Sequence, residues 1–165
     1  MATIVACSTA KKISLGEGST EQLPSNARKL SIDEFNAENG KFKFPITPLD
    51  NQYIADNVLI AFHNVRNIAP NERSLEQMKK DIEGDPVNFP NAHKTAANRM
   101  RIETVNNTRI LTWRTKGKDL IRVLFFCNNA TNKLAVNGEI QAILSDSIKV
   151  DKDAEFIVKY IKFSE

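Results

Sequence analysis

Cysteine is scarce in this chain of 165 residues: Cys7 and Cys127 are the only two, in dissimilar settings. Two thiols so placed form neither a disulfide framework nor a zinc-ligand spacing, which points to a reducing compartment. Long apolar runs are missing too, and no stretch approaches the roughly 20 apolar residues of a membrane span. Ile4-Val5-Ala6-Cys7 superficially matches a lipoprotein cleavage box. No basic segment precedes it, and its apolar run falls short of the roughly 7–15 residues that an export signal needs. A cytoplasmic protein with no membrane association is the expectation. Asn106-Asn107-Thr108 and Asn129-Ala130-Thr131 then read as turn residues rather than glycosylation sites. Glycine, at six residues, forms no G-x-G-x-x-G and no phosphate loop. G-x-S-x-G and H-E-x-x-H are also absent. His63 and His93 lie far apart in sequence, neither with a carboxylate at ligand spacing, and Cys127 ends an apolar run that favours a buried, inert thiol. No metal and no cofactor are expected.

What is present fits one globular domain: 41% hydrophobic and 26% charged residues, with a net charge of +3 too small to name a partner. Residues 1–50 read as an irregular N-terminal arm or edge strand, because Ile13 to Ser31 mixes Gly16, Gly18, Pro24, Ser and Asn without a sustained period. Residues 14–31 are expected to be poorly tied down. Lys41-Phe42-Lys43-Phe44-Pro45 alternates charge and aromatic, a strand pattern closed by proline. Residues 51–165 read as a compact domain.

Within that domain Val58–Phe62 is a buried strand by its continuous apolar run. Ser74 and Gln77 are spaced as a capping box ahead of a helix whose stripe is Leu75, Met78 and Ile82, stopped near Gly84 and Pro86. A second helix is expected from Asn91 to Arg101. Strands follow at Arg101–Val105, Thr108–Arg114, Leu120–Cys127 and Leu134–Ile140, the first two joined by Asn106-Asn107, residues that tolerate positive φ. Short connections make them an antiparallel meander. A last helix spans Asp151–Lys162. The fold class expected is α+β: a small antiparallel sheet of three to five strands packed against two or three helices, with an irregular N-terminal arm. Ile110, Leu124, Phe126, Met78 and Ile157 are expected to share one core.

Charge is the feature that bears on function. Arg99, Arg101, Arg109, Arg114, Lys116, Lys118 and Arg122 cluster against only Glu103 and Asp119, and the single tryptophan, Trp113, lies among them. Cations can neutralise phosphates while an aromatic stacks on a base. The same residues also suit the solvated face of a sheet, with Trp113 in the core beside Leu111. Arg122 shares a strand face with Leu120, Leu124 and Phe126. A guanidinium there either points at a ligand or pairs with a carboxylate such as Glu103 or Glu139.

Trp113-Arg114 followed by Ile121-Arg122-Val123-Leu124-Phe125-Phe126 resembles the central strands of RelE/HigB-type toxins, messenger-RNA-cleaving ribonucleases. The resemblance covers about residues 73–163. It implies a metal-independent ribonuclease with Arg114, Arg122 and Tyr160 as catalytic candidates and RNA, rather than DNA, as partner. It leaves residues 1–50 without a counterpart, and Leu134-Ala135-Val136-Asn137-Gly138-Glu139 supplies no general acid or base. The function expected is that of a small nucleic-acid-directed protein; the alternative is a non-enzymatic protein-interaction module such as an immunity, inhibitor, phage or plasmid accessory protein. An arm with Phe42 and Phe44 at alternate positions suits the second.

Overall fold

The computed structural model describes residues 10–16, 19–43, 45–67, 74–85, 87, 99–129, 131 and 133–163. Ten strands occur among them: β1 (Lys11–Gly16), β2 (Ser19–Leu23), β3 (Arg28–Lys29), β4 (Asn51–Ala55), β5 (Val58–Phe62), β6 (Arg66–Asn67), β7 (Arg99–Val105), β8 (Thr108–Lys116), β9 (Leu120–Asn128) and β10 (Leu134–Ile143). The helices are α1 (Ile32–Asn39), α2 (Leu75–Gly84) and α3 (Ser147–Tyr160).

The expected sheet of three to five strands is corrected to an eight-stranded one, ordered β3-β4-β5-β10-β9-β8-β7, with β6 pairing on β10 beyond the end of β5. Every pairing is antiparallel. The meander β7–β10 does form as its short connections predict. What the short-range signals do not reveal is that Gly138–Gln141 of β10 also pairs with Leu59–Phe62 of β5. That pairing joins the meander to β3–β5 as one sheet. Gly138 permits the join, since a Cβ there would lie 2.8 Å from Phe62 Cβ and collide with the Phe125 ring.

Alternation along the strands sends side chains to two different cores. On one face Ile110, Val123, Phe125, Cys127 and Ile140 pack against Val150, Ile157 and Val158 of α3. On the other, Leu111, Trp113, Leu124 and Phe126 pack against Leu75, Met78 and Ile82 of α2, and Leu59 and Ala61 pack against Phe35 of α1. The single core expected to unite Ile110, Leu124, Phe126, Met78 and Ile157 is therefore two, divided by the sheet.

The irregular arm is also corrected. β1 and β2 form a two-stranded antiparallel hairpin that sits on the α3 side, its Leu15 and Leu23 buried. Reciprocal main-chain bonds between Thr20 and Lys162, each 2.9 Å, tie it to the end of α3. α1 starts with a full capping box: Ser31 Oγ accepts from the Glu34 N–H at 3.2 Å, and Glu34 Oε2 accepts from the Ser31 N–H at 2.8 Å. Lys41–Lys43 is a turn closing α1 rather than a strand, and Phe44 lies outside the described residues. Buried Asn39 fixes the following chain, donating to the Ile46 carbonyl at 2.6 Å and accepting from its N–H at 2.8 Å.

Ser74 caps α2 as its spacing predicts, accepting from the Gln77 N–H at 3.2 Å. The Gln77 side chain turns to Asp81 instead of completing the box. Of the helix expected over Asn91–Arg101, residues 91–98 lie outside the described residues, and Arg99–Arg101 belongs to β7. α3 starts four residues earlier than its charge pattern predicts, following a single 3₁₀ turn.

Candidate functional site

β7 is an edge strand, and α3 lies over the neighbouring part of the sheet. Between them runs a groove of about 310 Å³ whose walls include Arg99, Arg101 and Glu103 of β7 and Asp151, Glu155 and Lys159 of α3. Its floor is Thr112 and Arg114 of β8 and Val123 of β9. The β7–β8 turn closes one end. Asn106 and Asn107 adopt φ of 50° and 64°, as a two-residue hairpin requires, and the Asn106 amide donates to the Lys159 carbonyl at 2.8 Å.

The register decides which basic residues meet here. Arg99 pairs with Arg114 and Arg101 with Thr112 across β7–β8, so Arg99, Arg101, Arg114 and, by alternation, Lys116 share the α3 face. Arg114 is gripped by Asp151, with Nε to Oδ1 at 2.7 Å and Nη2 to Oδ2 at 3.0 Å, a two-pronged ion pair. Arg101 lies 3.2 Å from Glu103. Arg99 is exposed, and its side chain has neither ion pair nor hydrogen bond among the described residues. Lys118 is exposed in the β8–β9 turn.

Arg109, Trp113 and Arg122 are on the opposite face. Arg109 pairs with Glu76 of α2, and Trp113 is buried beneath that helix. Arg122 Nε donates to Gln141 Oε1 at 2.8 Å and stands 2.7 Å from Glu139 Oε1. Burial raises the Glu139 carboxyl above the ordinary range, and the Arg122 charge only partly opposes this. Of the two partners weighed for Arg122 in the sequence, the carboxylate is in place. Arg114 and Arg122 thus lie on opposite sides of the sheet. Tyr160 packs on Phe156 with ring centroids 4.8 Å apart, so the three catalytic candidates are not brought together.

Sequence reasoning overlooked two clusters. Glu21 of β2 is fully buried, and neither carboxylate oxygen has a hydrogen-bond partner among the described residues. Burial pushes its carboxyl well above the ordinary range. The thiol of Cys127 is raised by its own burial and then by the Glu21 charge, and the Tyr53 phenol in the same way. The second cluster is at His63. Its Nδ1 lies 3.1 Å from Asp50 Oδ2, an oxygen that also accepts from the Asn64 N–H at 2.9 Å and from Arg66 at 2.5 Å. Burial alone would raise Asp50; the Asn64 and His63 hydrogen bonds and the Arg66 charge prevail and hold it below its ordinary value. The β4–β5 hairpin makes this meeting, because Asn51 pairs with Phe62 and so sets Asp50 beside His63. Among the described residues no group of acidic, histidine or cysteine side chains is arranged to hold a metal, and no helix is long and apolar enough to cross a membrane.

No protein-family profile and no curated protein matches the chain. Among solved structures it is similar to LpqN, described as involved in cell envelope biogenesis of Mycobacterium tuberculosis. That likeness has 9% identity and a TM-score of 0.48, and covers 95% of this chain and 91% of that one. Likeness of this degree carries neither fold nor function from one protein to the other.

Proposed function

We propose that this chain is a non-enzymatic interaction module that seats an acidic, extended segment of a protein partner in the groove between β7 and α3. The observation that carries the reading is Arg99. It stands exposed at the open rim, beside Arg101, with no carboxylate of its own among the described residues. Deeper in, Arg114 is already held by Asp151, so the free cationic character lies at the rim, where an incoming carboxylate can reach it. Val105, Val123, Ala154 and Val158 line the groove beside these charges, and apolar side chains alternating with acidic ones in the ligand match that mixture. Fluorescence anisotropy of a labelled peptide that alternates aspartate and valine tests this. Binding is expected, with about tenfold or greater loss in Arg99→Ala/Arg101→Ala, a change of about 1.4 kcal/mol. Equal affinity of wild type and double variant would reject the groove.

A second reading, RNA binding of the kind implied by the ribonuclease resemblance, is favoured by one observation: Arg99, Arg101, Arg114 and Lys116 share a face. Three groove carboxylates, Glu103, Asp151 and Glu155, oppose a ligand charged at every unit, as RNA is, more than a peptide whose acidic side chains alternate with apolar ones. Trp113, buried under α2, offers no stacking surface. Single-stranded RNA bound with a steep salt dependence, and a slope flattened in Arg99→Ala/Arg101→Ala, would favour this second reading over the first.

A further inference from the structure

β7 is the last strand of the sheet, and among the described residues no strand pairs with its outer edge. The main-chain groups at that edge follow from the hairpin. In a two-residue hairpin the pair flanking the turn exchanges both main-chain bonds, so Val105 bonds to Thr108 across the Asn106-Asn107 turn. By alternation Glu103, Arg101 and Arg99 also face β8. Met100, Ile102 and Thr104 are left with N–H and C=O directed outward. Such an edge is a template for another strand unless something blocks it, and β7 contains neither proline nor a bulge.

We propose that the outer edge of β7 pairs antiparallel with β7 of a second copy of this chain, about a two-fold axis at Ile102. Charge selects both the occupant and the register. Outward main-chain groups must meet outward groups, which allows two-folds centred on individual residues only. A two-fold at Arg101 faces Arg101 with itself, one at Glu103 faces Glu103 with itself, and one at Met100 faces Arg99 with Arg101. Centred on Ile102, Arg101 of each copy lies opposite Glu103 of the other, twice over. These are non-hydrogen-bonded pairs, the closer kind, with Cα atoms about 4.5 Å apart. Arg101 and Glu103 already lean together within one chain, 3.2 Å apart, so pairing makes a ring of four alternating charges. On the other face Ile102 meets Ile102 and Met100 meets Thr104, both copies using the same patch, as a two-fold interface demands. The two grooves then lie on the same face of a continuous sheet, on either side of the axis. The Arg101 and Glu103 side chains also stand in the groove wall, but the main-chain pairing lies along the outer edge and does not depend on any ligand.

Sedimentation velocity without peptide tests it. The wild type is expected to show a monomer–dimer equilibrium in the micromolar range, as suits a small strand-edge interface. Glu103→Arg alone and Arg101→Glu alone place like charges across the axis and are expected to sediment as monomers. Their equimolar mixture is expected to recover the dimer, because every arginine of one variant then faces a glutamate of the other. In a Cys7→Ser background, Ile102→Cys is expected to cross-link two copies, its Cα atoms about 5.5 Å apart in a hydrogen-bonded pair and within disulfide reach. Thr104→Cys, opposite Met100 of the other copy, is expected not to. A wild type that stays monomeric, a charge-variant mixture that stays monomeric, or cross-linking through Thr104→Cys in preference to Ile102→Cys overturns the proposal. Because no ligand is present, each of these results leaves the groove reading standing.

Discussion

Replacing Glu21 by glutamine is expected to abolish one component of the protein's pH dependence while leaving the fold intact. The carboxyl is fully buried, unpartnered among the described residues, and raised well above the ordinary range by that burial. The folded chain therefore holds this proton more tightly than the unfolded chain, whose glutamate titrates near pH 4.3, about its free value. Stability from this group is complete below that value and is lost as pH climbs, until the folded-state value is passed. While only the unfolded form is ionised, the loss is about 1.4 kcal/mol for each pH unit. Glutamine keeps the shape and cannot ionise, so the variant gains on the wild type steadily with pH. Glu21→Leu should gain a further increment of about 1–3 kcal/mol, since it also removes unsatisfied polar atoms. Urea unfolding followed by Trp113 fluorescence, from about pH 5 to about pH 8, measures both. Wild-type and Glu21→Gln stabilities that run parallel over that range would refute the reasoning, because the carboxyl would then have to be ionised, and solvated or paired, in the folded protein.

Other substitutions probe the sheet. Gly138→Ala is expected to lower stability by at least about 1–3 kcal/mol, since its new methyl overpacks against Phe125 and Phe62; thermal melting reads this directly. Phe125→Ala, at a fully buried position, is expected to cost about 3–5 kcal/mol in chemical denaturation. Arg122→Ala is expected to destabilise by about 2–3 kcal/mol, because Glu139 loses its ion-pair partner in a mostly buried site, and Arg122→Met/Glu139→Leu should recover most of that loss. Asp153, its carboxyl pushed up to about 6 by burial and by Asp56, is expected to titrate there by NMR and to return toward the normal range in Asp56→Asn.

The elements that were legible in the sequence were those whose signal is local. Ser74 announced α2, Asn106-Asn107 announced a hairpin, and the apolar run Leu120–Cys127 announced a strand, and all three form. The pairing of β5 with β10 was not legible, because partners such as Leu59 and Gln141 are brought together by tertiary contacts alone. α1 was legible in principle: Ser31 and Glu34 have capping-box spacing, but they follow a stretch of Gly, Pro, Ser and Asn that reads as loop. Glu21 gave no signal at all, for a carboxylate in Ser-Thr-Glu-Gln-Leu reads as solvent-facing. For the site, the sequence identified the basic cluster, but its division between two faces depends on register. The acidic wall from α3 depends on helix packing, and neither is encoded in spacing along the chain.

The place of β10 bears on how the chain is assembled. It is the last strand in sequence, yet it lies inside the sheet, between β5 and β9. Until residues 134–143 are available, β3–β5 and β7–β9 are two unjoined ribbons, each with a raw inner edge. A chain emerging from the ribosome therefore exposes both edges until residues 134–143 have emerged, and folding must wait for a long-range closure. Fragments ending before Leu134 should aggregate rather than fold in part, and the separately supplied C-terminal segment should act as the missing stave that rescues them.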